Sequence, residues 1–218
     1  MVPKSQETKI VVVDPQNPKE SDIELVADAA RSGEVVVFPT DTVYGIGTSA
    51  LNSQAVLNVF KAKSRPPDKP LILLIADPSD VDRYAVDISG AARHLIEEHW
   101  PGPLTLIFKK SALVSDEVTA GGDTVGIRCP DDNIARMLIR FTGVALATTS
   151  ANIAGKPSPK NAEEAKENLM GRVSYIIDGG QVKLGVESTV VDMSSEEPKL
   201  IREGYISWGE LKKKLENR

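Results

Sequence analysis

Cysteine is nearly absent from this sequence, and so are the structures that depend on it. The single thiol, Cys129, leaves no partner for an internal disulfide and no cysteine cage for zinc, and it fits a reducing compartment. Histidine is almost as scarce. His94 and His99 fall in a stretch rich in Glu and Arg, at no spacing that would hold zinc, so a structural or solvent-exposed role is expected for both. Aromatic residues make up 5% of the chain, which argues against a surface built to stack RNA bases. No apolar run approaches the roughly 20 residues of a membrane span, and the polar N-terminus lacks the apolar core of a secretory signal. A net charge of −5 excludes a general polyanion binder, so any nucleotide or RNA site has to be a local basic patch. A cytoplasmic protein with no membrane partner is expected.

At 218 residues the chain suits one compact domain, with room for a small appendage, and is long enough for a substantial core. Residues 1–8 read as a loose lead-in and residues 10–13 as a short buried strand. Ser21 followed by Glu24 forms a capping box that opens a helix, with Ile23, Ala27 and Ala30 on its inner face and Gly33 past its end. Residues 35–38 are a buried strand that Pro39 stops, because proline cannot donate to a sheet ladder. A crowded polar turn follows, with Thr40, Asp41, Thr42 and Tyr44 closed by Gly45 and Gly47. In open α/β sheets, ligands bind at strand ends of this kind, although an ordinary strand-to-helix turn has the same composition. A second helix starts near Ser53 with Val56, Leu57 and Phe60 inward. Strand, helix, strand, helix is the signature of an α/β layer architecture.

The second helix runs into a charged segment, residues 60–71, that holds Lys61, Lys63, Arg65 and Lys69 against Asp68 alone. Cations are favoured at a helix C-terminus by the macrodipole. Yet Pro66, Pro67 and Pro70 stiffen the backbone from which these side chains project, and a rigid basic loop beside a hydroxyl-rich turn suits phosphate. Residues 71–75 form an apolar strand buried on both faces. Helical pattern covers 78–99 in two pieces broken near Ser89 and Gly90, and a strand follows to Phe108. In the loop-to-strand segment 121–130, Arg128 alternates with Ile127 and points away from the core, either to clamp a carboxylate or to sit at the surface. After a helix over 132–141, the strand from Val144 again ends in hydroxyls and an amide: Thr148, Thr149, Ser150 and Asn152, then Ser158. Two strands that end alike can converge on one ligand. A helix over 161–170, a turn at 178–180, a strand begun by Ser188, a strand ending on Arg202 and an amphipathic helix over 207–216 complete the chain.

The motifs PTDTVYG, KSR with PP and a PL-led strand, TSAN with GKPSP, GVESTVVD and a closing R-x-G occur here in the order of the YrdC family. Over residues 20–206 the chain resembles its threonylcarbamoyl-AMP synthases. The resemblance implies an α/β fold, a twisted mixed sheet flanked by helices with a concave site at the strand ends. It also implies a catalytic domain over 1–206 and a short helical tail over 207–218. The implied reaction joins ATP, L-threonine and bicarbonate into threonylcarbamoyl-AMP and pyrophosphate with Mg²⁺, for a transferase complex that modifies tRNA. Lys63 and Arg65 would then serve catalysis and hold the ATP phosphates, with Lys69 nearby. Thr124, Ser150, Asn152, Ser158 and Arg202 would line the nucleotide side. Thr42, Arg128, Thr148 and Ser188 would hold threonine. No protein metal ligand is expected.

Two positions depart from the pattern. Leu74 stands where many relatives carry histidine, and Glu203 replaces the usual proline, adding a negative charge near Arg202. Two alternatives from other classes are an RNA-binding module that uses the same basic concavity and a paralogue with another carbamoyl or acyl substrate. Salt-dependent RNA binding without ATP/pyrophosphate exchange would mark the first. Discrimination between threonine and serine addresses the second.

Overall fold

The computed structural model describes residues 7–216. Most of the lead-in expected over residues 1–8, and the last two residues of the tail, lie outside the described residues. The elements run β1 (Lys9–Val12), α1 (Glu20–Arg31), β2 (Val36–Phe38), β3 (Gly45–Ser49), α2 (Ser53–Lys63) and β4 (Ile72–Leu74). A 3₁₀ turn at Pro78–Asp80 leads to α3 (Val81–Tyr84), β5 (Ala85–Val86), α4 (Gly90–His99), β6 (Leu104–Lys110), α5 (Asp116–Thr119) and β7 (Thr124–Arg128). The remainder is α6 (Asn133–Thr142), β8 (Leu146–Ser150), α7 (Ala162–Leu169), β9 (Tyr175–Asp178), β10 (Thr189–Asp192), β11 (Lys199–Arg202) and α8 (Trp208–Glu216).

All the strands join one mixed sheet in the order β1-β9-β2-β3-β8-β4-β7-β6-β10-β11, with β5 beside β6. Each face carries its own core, because side chains alternate along a strand. On one face Val37, Ile46, Leu73, Leu106, Ile127 and Ala147 pack beneath α2, α4, α7 and α8. On the other, Val36, Phe38, Leu74, Leu146 and Ile177 pack beneath α1 and α6. These two helices cover only part of that second face. Over β6 and β10 its residues Ile107 and Val190 are only half-buried, and this uncovered part is where the cavity lies.

Several local expectations need correction. Ser21 does not cap α1. The helix begins one residue earlier, behind Lys19, with no side-chain cap and with Glu20 and Asp22 in its first turn, where carboxylates are favoured by the dipole. The segment after Tyr44 is not a turn but β3, which pairs antiparallel with both β2 and β8. Its glycines hid it, since glycine is depleted in strands. Here glycine is required: a Cβ on Gly47 would meet the Ala147 carbonyl oxygen and Thr148 Oγ1, each at 2.7 Å. Leu57 is only half-buried; Val59 takes the inward place beside Val56 and Phe60. The break near Ser89 is real, with Ser89 Oγ accepting from the Ala92 amide at 3.2 Å, but the short strand β5 just before it had no sequence signal.

Candidate active site

A cavity of about 330 Å³ opens on the second face of the sheet. Its floor crosses the sheet, with Thr148 from the middle of β8, Ile72 and Leu74 from the two ends of β4, Arg128 from the C-terminal end of β7 and Thr105 near the start of β6. Strand ends line it, Leu74, Arg128 and Ser150 being the last residues of β4, β7 and β8, but these ends do not share one edge. A parallel sheet gathers its carboxyl ends on one edge, whereas here β4 is antiparallel to β8 and parallel to β7. The reversal spreads the polar residues across the sheet in rows. Leu146, Leu74 and Arg128 are aligned at one edge, and Thr148, Ile72 and Gly126 are aligned in the middle. The same register carried two residues on reaches Ser150, Pro70 and Thr124. Arg128 and Ser150 thus stand four strand residues apart, roughly 13 Å.

At the first edge Arg128 is held by three partners within the protein. Its Nε donates to the Gly102 carbonyl at 2.9 Å and its Nη1 to Thr42 Oγ1 at 2.8 Å, while Nη2 pairs with Asp41. Arg128 and Asp41 are 4% and 2% exposed, so the arginine is not the surface residue that alternation alone left open. Burial pulls its pKa below the usual guanidinium value and the Asp41 charge opposes that pull; the group stays charged at neutral pH. A guanidinium has five N–H groups, and the three bonds above leave two for a ligand. The turn that presents this carbonyl needs glycine at 102, since a Cβ there would meet the His99 carbonyl oxygen at 2.4 Å. Among the described residues Asp41 Oδ2 has no hydrogen-bond partner. Thr40 ties the turn together, accepting from the Thr42 amide and donating to the Val43 carbonyl at 2.6 Å. The Tyr44 hydroxyl, which sequence left beside the ligand residues, is a brace instead: it donates to the Gly180 carbonyl at 2.7 Å and accepts from the Gly179 amide.

The cationic segment lies at the other edge. Between its two cations Ser64 adopts a left-handed conformation, φ 52°, at a cost of order 1–3 kcal/mol for a non-glycine residue. That turn ends α2 and sends the neighbours apart. Lys63 goes inward and is 1% exposed; its Nζ donates to the Ser150 carbonyl and to Asn152 Oδ1. Burial, helped by the nearby Arg65 charge, lowers its pKa to about 7, against a smaller upward pull from Glu187. Arg65 stays half-exposed on the cavity wall and holds the Lys69 and Pro70 carbonyls at 3.3 and 3.1 Å. Lys69 contributes that carbonyl, and its side chain is exposed. Asn152 is buried behind the wall, donating to the Lys156 carbonyl at 2.6 Å while Ser150 Oγ donates to its Oδ1 at 2.6 Å.

A third wall comes from the segments before β10 and after β8. Ser188 Oγ and Thr105 Oγ1 share a hydrogen bond of 2.8 Å. Glu187 accepts from Ser158 Oγ at 2.6 Å and pairs with Arg202, whose Nη2 also donates to the Ser188 carbonyl at 2.9 Å. Of the residues predicted for the site, Thr42, Arg65, Arg128, Thr148, Ser150, Ser188 and Arg202 line the cavity, and Lys63, Asn152 and Ser158 back it through hydrogen bonds. Thr124 shares the Ser150 row without lining the cavity, and Lys69 points to solvent. Leu74 is buried in the floor, an apolar contact where a polar one is usual. Glu203 is not turned toward a ligand: its carboxylate accepts from the Trp208 amide at 2.8 Å and caps α8.

Asp41 and Glu187 were missed as site residues, because each matters through a partner distant in sequence. Among the described residues no group of three or more His, Cys, Asp or Glu is placed to hold a metal ion, and Glu187 is the one carboxylate lining the cavity. Such a donor set does not cage a bare cation. It fits magnesium that arrives on phosphate oxygens, since Mg²⁺ commonly takes one or two carboxylates beside its substrate phosphates and keeps its waters.

Comparison with known proteins adds the following. The family model Sua5_yciO_yrdC, described as telomere recombination, matches residues 28–204. The threonylcarbamoyl-AMP synthase of Pyrococcus abyssi is 44% identical over 88% of this chain and 56% of its own length. The threonylcarbamoyl-AMP synthase of Bacillus subtilis is 44% identical over 90% of this chain and 57% of its own. The chain therefore spans about half the length of these curated relatives. The crystal structure of P. abyssi Sua5 complexed with L-threonine superposes with a TM-score of 0.92 at 42% identity, covering 94% of this chain and 60% of that one. No helix among the described residues is long and apolar enough to cross a membrane.

Proposed function

The chain belongs to the Sua5/YciO/YrdC family, and on that premise we propose that it is a threonylcarbamoyl-AMP synthase acting on ATP, L-threonine and bicarbonate. The observation that carries this reading is the spacing of two unlike cationic ends in one cavity. Arg128, held rigidly and with two N–H groups to spare, suits the small carboxylate of an amino acid. Arg65 and Arg202, half-exposed and held mostly by carbonyls and one carboxylate, suit a polyphosphate.

In this reading Arg128, Thr42, Thr148 and Ser188 seat threonine with its amine toward the middle row. Bicarbonate takes up a proton and loses water to give CO₂, and the amine adds to that CO₂ to form a carbamate with loss of a proton. A carbamate oxygen then attacks the α-phosphorus, the bond from that phosphorus to the β-phosphate bridging oxygen breaks, and pyrophosphate leaves. The substrate brings its own nucleophile, so the absence of a Ser–His or Cys–His pair is no obstacle. What the chain supplies is alignment and charge neutralisation. Lys63 fixes the Ser150–Asn152 corner, Arg65 and Arg202 face the phosphates, and Thr124 and Ser158 border them. Magnesium, when bound with the nucleotide, would neutralise phosphate charge next to Glu187. A carbamate loses CO₂ readily in water, and an enclosing cavity guards it. The product then passes to a transferase complex for tRNA, in a cytoplasmic setting.

The test is exchange of labelled pyrophosphate into ATP. Exchange that requires both L-threonine and bicarbonate, with L-serine much weaker in calorimetric titration beside ATP, is the expected result. RNA binding with a steep salt dependence and no exchange would sink this reading in favour of an RNA-binding module.

A further inference from the structure

The cavity holds three arginines and a single carboxylate, and the function just proposed gives that carboxylate only a place beside the magnesium-bearing phosphates. Glu187 is not a bystander. One of its oxygens takes the Ser158 hydroxyl at 2.6 Å and the other takes the Arg202 guanidinium. These are two of the groups expected to meet the nucleotide, so the carboxylate occupies seats suited to phosphate oxygens. It is 36% exposed, open to the cavity rather than sealed behind it. The buried acid of the site, Asp41, is shielded by Arg128 and does not line the cavity.

We propose that Glu187 is a specificity-determining residue that makes the site select cation-complexed nucleotide over free nucleotide. The physical reason is like-charge juxtaposition. A bare triphosphate entering between Arg65 and Arg202 brings its full negative charge against a carboxylate, and repulsion between like charges held this close is costly. The same phosphates carrying a divalent cation present a smaller net charge, and the cation offers the carboxylate a favourable neighbour. Glu187 thus penalises one form and tolerates the other, which is how discrimination by a repulsive element works. The two oxygens released from Ser158 and Arg202 are then free to turn toward the cation or its waters. The inference deepens the proposed nucleotide site and rests on it.

The experiment is calorimetric titration of a non-hydrolysable ATP analogue into the whole protein, with excess magnesium and with excess EDTA, at low ionic strength. For the parent the analogue binds more tightly with magnesium. Glu187→Gln keeps the side chain's shape and its acceptor for Ser158 while removing the charge. It is expected to tighten binding in EDTA by about tenfold and to shrink the magnesium preference by a similar factor. Glu187→Asp retains the charge and is expected to retain the preference. Glu187→Gln with an unchanged ratio of the two affinities would overturn the proposal, even if the variant melts at a lower temperature, because a mere strap between segments affects stability and not that ratio. A parent that binds the analogue in neither condition would instead refute the nucleotide site itself.

Discussion

The two ends of the cavity are built on opposite plans. The Arg128 end is dry and finished: its guanidinium, carboxylate and hydroxyl partners are all buried and mutually bonded before any ligand arrives. The Arg65 and Arg202 end is half-exposed, and its contacts are with backbone carbonyls and with Glu187, partners that can be exchanged for phosphate oxygens. A small amino acid offers few handles, so its seat has to be shaped in advance to be selective. A polyphosphate brings many charges and a cation, and a site for it gains more from mobile forks than from a fixed mould.

The sharpest way to break this contrast is Arg128→Ala. It leaves Asp41 buried without its partner and is expected to destabilise the protein by about 3–5 kcal/mol, read by urea denaturation, with threonine binding lost. Arg128→Ala combined with Asp41→Ala should regain part of that stability without regaining threonine. A single variant as stable as the parent would show that the seat is not prebuilt. At the other end Arg65→Ala is expected to cut exchange activity by roughly 10²–10³-fold while its melting temperature stays close to the parent's, since Arg65 is half-exposed and bonded only to carbonyls. Full activity in that variant would remove Arg65 from the phosphate site.

The smallest of the three effects concerns Lys63, which joins the two plans by being both cationic and buried. Its folded-state pKa of about 7 lies below the ordinary lysine value, so its charged form is penalised in the folded protein. The penalty is complete below about pH 7 and fades as pH rises toward the unfolded value, which means this group adds stability with rising pH. Lys63→Met is therefore expected to flatten the stability profile between about pH 7 and pH 9 by roughly 1 kcal/mol per pH unit. Parallel slopes in denaturation series of the two proteins would place Lys63 in a wetter setting than the one described.

What could be read from the sequence was whatever announces itself locally. Pro39 stopping a strand, hydroxyls after Phe38 and Ala147, and cations among prolines each mark their own neighbourhood, and they converge on one cavity. What escaped depends on distance or on a rule being broken. Asp41 reads as a turn residue until Arg128 arrives from a strand 87 positions away. Glu187 likewise acquires meaning only from Ser158 and Arg202. Strand β3 is glycine-rich because β8 presses against it, and that pressure is invisible locally. Ser64 turns left-handed without being glycine or asparagine, so nothing in its identity warned of the divergence of Lys63 and Arg65. That the strand ends lining the site fall at two edges rather than one was also hidden, because it follows from β4 running against β8.

That reversal has a lasting consequence. Because the row bearing Arg128 and the row bearing Ser150 belong to opposite margins of the sheet, a substitution that reshapes one margin need not disturb the other. Under the proposed function, a descendant of this chain can change which small acid it accepts while keeping its nucleotide chemistry whole, and the architecture thereby separates the choice of cargo from the means of activating it.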